Sequence, residues 1–212
     1  MELSHTWLGN DITYQQGLEI QEKTVQSILS AETNNQLFSL EHTPIYTIGR
    51  TRDQSSLGEH TSLLPHPVVE INRGGQATYH GPGQLTGYPI VDLRPLGKDL
   101  HHYVRTLEEA LIVTCKAFDV EATRREGLTG VWVEDRKLAS IGVGVRKWIA
   151  MHGYAINITK ESLIGFTAIT PCGIDGVTMT SLESECGHAI SVETFAAKCA
   201  ANLKQALAKM AK

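Results

Sequence analysis

Apolar residues along the chain follow two rhythms, alternate positions in some stretches and every third or fourth position in others. Leu3 to Leu8 reads as a short strand. From Tyr14 to Leu29, Leu18, Val25, Ile28 and Leu29 recur roughly on one face and predict an amphipathic helix. The stretches "QLFSLEH" and "IYTIG", on either side of Thr43-Pro44, and then "PVVEINR" are β-like. Asp99 is placed to cap a helix running to about Phe118, with Leu107, Leu111 and Cys115 turned inward. After Thr129 the alternation returns through "GVWVED", "KLASIGVGVRKW" and "HGYAINI". Turn signals at Glu134-Asp135 and near Ala150 make this an antiparallel meander. Thr180-x-x-Glu183 predicts the capping box of a short helix, and Ser191 or Thr194 opens a last helix that buries Phe195, Cys199, Leu203 and Leu207. Runs of strands broken by a few helices, without steady βαβ alternation, predict an α+β (α/β) fold with a mixed or antiparallel sheet and flanking helices.

A length of 212 residues suits one domain, read here as spanning 1–212, and 42% hydrophobic with 20% charged residues is ordinary for a globular chain. The amino terminus has an early acid and no apolar core, and no apolar run approaches bilayer-spanning length, so the expected location is cytoplasmic. A formal net charge of -4 argues against a general nucleic-acid binder. Basic pairs at Arg124-Arg125, Arg136-Lys137 and Arg146-Lys147, with Arg50, Arg52 and Arg73, suit either a small acidic partner or an ordinary solvated face. Cys115, Cys172, Cys186 and Cys199 show neither a C-x-x-C pair nor metal-ligand spacing with histidine, so neither a disulfide nor a zinc site is expected.

The densest chemistry lies in "RGGQATYHGPGQ", residues 73–84. It lacks the Lys-Ser or Lys-Thr of a phosphate-binding P-loop, and β-favouring residues follow it where a dinucleotide-binding loop would open a helix. Two readings remain: a connection between strands that uses glycine for positive φ, or bare backbone against which a thin substrate lies.

Cys172 differs from the helical cysteines because it sits in "AITPCGIDGVT", which has neither helical nor strand period. A loop thiol of this kind is either a small buried hydrophobe or a nucleophile beside exposed amides. A nucleophile needs a nearby base or cation, and His80, His152 and Lys137 are the candidates. Lys137 heads an apolar β segment, where it is either an edge guard against aggregation or a functional charge.

Three separated stretches, "NRGGQATYHGPGQLTGYPIVDL", "RKLASIGVGVRKWIAMHGYAINI" and "TPCGIDG", together with "LEHTPIYTIGR", resemble the lipoyl(octanoyl) transferases. The resemblance covers about residues 36 to 182 in matching order and spacing. It implies a biotin/lipoate protein ligase-like catalytic fold and transfer of an octanoyl group from acyl carrier protein to a lysine of a lipoyl domain. The acceptors it implies are the lipoyl domains of 2-oxoacid dehydrogenase complexes and the glycine-cleavage H protein. It further implies an acyl-thioester on Cys172 and a pKa-lowering role for Lys137. The substrate would be lined by Arg73, Gly74, Gly75, Gln76, Ala77, Thr78, Tyr79, His80, Ser140, Ile141, Gly142, Gly153, Tyr154 and Ala155. No ATP, metal or other cofactor is implied. Two rivals stand beside this reading: an ATP-dependent lipoate ligase of the same fold, and a non-catalytic module that holds an acylated carrier or lipoyl domain.

Overall fold

The computed structural model describes residues 2–50, 57, 61–169 and 177–210; Cys172 and Arg52 lie outside the described residues. Ten strands are described: β1 (Leu3–Trp7), β2 (Asn35–Leu40), β3 (Ile45–Ile48), β4 (Val68–Glu70), β5 (Thr78–His80), β6 (Gln84–Asp92), β7 (Thr123–Arg125), β8 (Leu128–Val133), β9 (Arg136–Arg146) and β10 (Ile149–Asn157). The helices are α1 (Tyr14–Leu29), α2 (Leu100–Lys116), α3 (Leu182–Cys186) and α4 (Val192–Met210). A seven-stranded sheet runs β1-β2-β6-β10-β9-β8-β7, antiparallel except for β1 and β2, and a three-stranded sheet runs β4-β3-β5. Among the described residues no helix is long and apolar enough to cross a membrane.

Alternation along the large sheet sends its two faces to different cores. Leu85, Val91, Ala139, Val143, Ala150, Tyr154 and Ile156 pack with Tyr103, Leu107 and Leu111 of α2 and Phe195, Cys199 and Leu203 of α4. Leu40, Tyr88, Ile90 and Ile149 pack instead against Val25 and Ile28 of α1. The small sheet closes a third core from Tyr46, Ile48, Ala77, Tyr79, Leu57 and Phe166.

The bounds of α1 coincide with the expected Tyr14 to Leu29, and its start is fixed by a Thr13–Gln16 capping box. Its buried face is more polar than the apolar spacing suggests. Gln21 and Thr24 are buried with Val25 and Ile28, while Leu18 is only half-buried. Gln21 Oε1 accepts the backbone N–H of His152 at 2.7 Å, while its buried Nε2 has no partner among the described residues.

The meander of β8, β9 and β10 is present, but its second turn falls at Lys147-Trp148, two residues before Ala150. There a two-residue loop places both residues at positive φ, 49° and 65°. The cap of α3 is Ser181, whose side chain accepts from the Ser184 N–H. Thr180 is drawn away because its hydroxyl donates to Glu185 at 2.6 Å. Two basic pairs are occupied within the chain: Arg124 binds Glu108 at 3.0 Å and Glu109 at 2.7 Å, and Arg136 binds Glu185 at 2.9 Å and Glu134 at 2.7 Å.

Candidate active site

Residues 73–84 do not form a simple hairpin. They contain β5 of the small sheet and pass the chain from there to β6, an interior strand of the large one. Because β5 alternates, Thr78 and His80 line one cleft while Ala77 and Tyr79 turn into the third core. Opposite them β9 presents Ser140, Ile141 and Gly142, and β10 presents Gly153, Tyr154 and Ala155. Arg73, Gly75, Gln76 and Lys137 complete the expected members of this cleft, which is narrow, with a cavity volume of about 50 Å³. Gly74 stays outside it and uses its N–H on the Val143 carbonyl at 3.1 Å. Tyr14, Thr86, Tyr88 and His152 also line the cleft. Tyr14, Thr86 and Tyr88 were not singled out in the sequence, although a threonine inside an apolar strand such as β6 is a usable signal.

The glycines have more local reasons than a bare substrate track. A Cβ on Gly81 would run into the Tyr79 hydroxyl, and one on Gly83, at φ 76°, into Thr159 Oγ1. A Cβ on Gly142 would lie 2.8 Å from the Gly74 carbonyl and 2.9 Å from Arg73 Cδ. Neither Gly81 nor Gly83 reaches the cleft. These glycines let the loop lie flat on β9 and fold back on itself, so the chain-connection reading accounts for Gly81 and Gly83, and only Gly75 of the loop glycines faces the cleft.

A buried chain of side chains holds the loop. Arg73 donates through one terminal nitrogen to the Thr47 carbonyl at 3.0 Å and to Thr47 Oγ1 at 2.9 Å. With Oγ1 accepting there, the Thr47 hydroxyl proton points to His80 Nε2 at 3.2 Å, and His80 Nδ1–H then donates to Gln84 Oε1 at 2.9 Å. Gln84 Nε2 donates to Asn157 Oδ1 at 3.0 Å, and Asn157 Nδ2 donates to the Thr180 carbonyl at 3.0 Å. Burial, with His42 and Arg73 nearby, pushes the His80 pKa well below its ordinary value. The imidazole is therefore a neutral, fully engaged link, which fits positioning and not proton transfer.

Lys137 is buried in β9, only 3% exposed, beside a register shift in its pairing with β8. Its Nζ lies over the Trp132 ring, 5.2 Å from the centroid. Gly130 makes room, since a Cβ there would come within 2.9 Å of Lys137 Cε, and the Gly130 N–H is anchored on buried Glu108 at 3.0 Å. The main chain of Lys137 is clamped as well. Its N–H donates to the Thr178 carbonyl at 2.8 Å and its carbonyl accepts from the Thr180 N–H at 2.9 Å, which pairs it with a segment that follows Cys172 in sequence. Among the described residues no cluster of three or more metal-ligating side chains occurs.

The sequence matches the model of the lipoyl protein ligase A/B catalytic domain over residues 13–204. An octanoyltransferase of Geobacter sulfurreducens is 47% identical over 89% of this chain and 78% of its own length. One of Syntrophotalea carbinolica is 46% identical over 87% and 85%. Among solved structures, a bipartite lipoate protein ligase from Thermoplasma acidophilum shares the fold with a TM-score of 0.67 at 14% identity, covering 98% of this chain and 85% of that one. Biotin protein ligase from Aquifex aeolicus does so with a TM-score of 0.61 at 12% identity, covering 100% and 71%. The chain belongs to the lipoyl protein ligase A/B catalytic-domain family and, within it, to the octanoyltransferases.

Proposed function

We propose that this acyltransferase moves an octanoyl group from the phosphopantetheine thioester of acyl carrier protein to a lysine of a lipoyl domain, through a thioester on Cys172, in the cytoplasm. The acceptors are the lipoyl domains of 2-oxoacid dehydrogenase complexes and the glycine-cleavage H protein. The observation that carries this reading is a single cleft that gathers Arg73, Gly75, Gln76, Thr78 and His80 with Ser140–Gly142, Gly153–Ala155 and buried Lys137. The backbone of that lysine is bonded to Thr178 and Thr180, which follow Cys172 in sequence.

In the first half-reaction the Cys172 thiolate attacks the carrier thioester, and collapse of the tetrahedral adduct expels the carrier's thiolate, which takes up a proton. The ammonium of Lys137 favours the thiolate electrostatically. In the second, the neutral amine of the acceptor lysine attacks the enzyme thioester, an amide bond forms, and Cys172 leaves as thiolate while a base takes the amine proton. Thioester exchange is nearly balanced and amide formation is downhill, so no ATP enters.

The test is the intact mass of the protein after incubation with an octanoyl thioester and no ATP, followed by mapping of the adduct. One octanoyl group on Cys172, lost in Cys172→Ala, is the expected result. Cys115 and Cys199 are poor alternatives because burial pushes both thiols up, that of Cys199 to about 11. An adduct on either, or on Cys186, overturns the assignment. Modification that requires ATP points to a ligase, and binding without an adduct points to a carrier-holding module.

A further inference from the structure

The cleft has an end. Beyond it, between α1 and the β9–β10 hairpin, lies a second, open pocket of about 300 Å³, with Val25, Ile71 and Met151 on its inner walls and Glu22, Glu70 and Arg146 also lining it. Among the described residues, His152 is the one that lines both spaces. Three elements run past it from one to the other. In α1, Tyr14 faces the cleft, and Leu18 and Val25, about one and three turns on, face the second cavity. In the segment before the glycine loop Arg73 faces the cleft and Ile71 the cavity, and in β10 Gly153 is followed backwards along the strand by Met151. The two spaces are therefore consecutive, and an imidazole stands between them.

The placement of that imidazole is unusual for a strand. Ala150 and Tyr154 pack into the core under α2 and α4, and regular alternation would send His152 the same way. A left-handed backbone at His152, φ 59°, instead turns its N–H to Gln21 of α1 at 2.7 Å and lays the ring among the residues on that side. Glycine at 144 permits this, since a Cβ there would sit 3.0 Å from His152 Cδ2. Among the described residues the ring's buried Nδ1 has no hydrogen-bond partner. A left-handed non-glycine residue and an unpaired buried nitrogen are both costs that a smaller residue would avoid, and such costs gather at functional positions.

We infer that His152 is the wall that limits acyl-chain length, closing the cleft behind an octanoyl group, and that its removal opens the second cavity to the far end of a longer chain. The inference rests on the proposed acyl-transfer reading, but it concerns binding and can be tested without chemistry. Amide analogues of octanoyl- and dodecanoyl-pantetheine, with NH in place of the thioester sulfur, are titrated calorimetrically into wild-type protein, His152→Gly and His152→Asn. Glycine suits the left-handed backbone, and asparagine tolerates it while shortening the side chain. Wild type should bind the octanoyl analogue more tightly. In His152→Gly the dodecanoyl analogue should gain at least about tenfold relative to the octanoyl one, since each newly buried methylene is worth about fourfold. His152→Asn should fall between. An unchanged ratio in both variants, or no chain-length preference in wild type, overturns the wall while leaving acyl binding intact. Failure of wild type to bind either analogue overturns the acyl-transfer reading and the wall with it.

Discussion

Lys137 Nζ and the Trp132 ring are a buried cation–π pair, 5.2 Å from nitrogen to centroid, and the opposite demands of burial and charge meet there. A cation over a desolvated aromatic face is held there by about 2 kcal/mol. Trp132 also carries Arg125, 5.0 Å from its centroid. Trp132→Leu should therefore slow acylation of Cys172 near neutral pH by roughly tenfold and shift thiol alkylation to higher pH, with Trp132→Phe restoring part of the loss. Alkylation rates measured across pH in the folded variants check this, and a profile identical to wild type in Trp132→Leu refutes it.

The two half-reactions separate the roles open to Lys137. Arginine supplies a cation but effectively never gives up its proton. Lys137→Arg should still form acyl-enzyme yet transfer it to a lipoyl domain at least about a hundredfold more slowly, the scale of a lost general base. Lys137→Met should be slow already at acylation. Single-turnover acylation followed by transfer from isolated acyl-enzyme distinguishes them, and near wild-type transfer by Lys137→Arg excludes the base role.

Thr47 joins Arg73 to His80, so Thr47→Val leaves a guanidinium donor and an imidazole nitrogen short of a partner in a buried place. A loss of about 1–3 kcal/mol in denaturant unfolding is expected, along with weaker donor binding because the loop loses its fixed position. Full stability in Thr47→Val would show that the chain of bonds is not a structural element.

Acid should begin to weaken the fold already in the range where histidines titrate. Burial lowers the pKa of His42 and of His152 from about 6.5 to about 4, and that of His80 falls in the same direction. The unfolded chain thus binds protons first as pH falls. The stability these groups contribute is complete above about pH 6.5 and is lost progressively toward pH 4, a tenfold difference in proton affinity between the folded and unfolded chain being worth about 1.4 kcal/mol. Urea unfolding at pH 7, 6 and 5 should show the decline, and His42→Gln should flatten it.

Gly81 and Gly142 make a contrasting pair. Gly81→Ala meets the Tyr79 hydroxyl in the third core, and should lower the melting temperature by several degrees with donor affinity nearly unchanged. Gly142→Ala pushes on Arg73 and Gly74 at the cleft, and should weaken donor binding out of proportion to its effect on melting. Parallel losses of both quantities in both variants would erase the distinction.

Periodicity made the large sheet's meander and all three long helices readable, because α1, α2 and α4 each bury a continuous face against it. It failed where few residues carry the signal or where polar groups are buried. β5 is three residues long inside a glycine-rich stretch, and its pairing with β3 is decided by tertiary contact. Gln21 and Asn157 read as surface residues until their partners, the His152 N–H and the Gln84 amide, are known. The motif residues of the cleft were legible as a set, but not the division of β5 between cleft and core, nor the loop packing that claims Gly81 and Gly142. Those follow from distances that a linear string does not contain.

The pairing of Lys137 with Thr178 and Thr180 is written in peptide groups and not in side chains. Ordinary substitution at either threonine leaves these peptide hydrogen bonds untouched, even though replacing Thr180 gives up its hydroxyl bond to Glu185, so the lysine keeps its place beside that segment. Proline alone, at 180, would remove a donor. The place of the lysine beside a segment far along the chain thus depends on the least mutable part of the polypeptide, and selection is left to act on side chains.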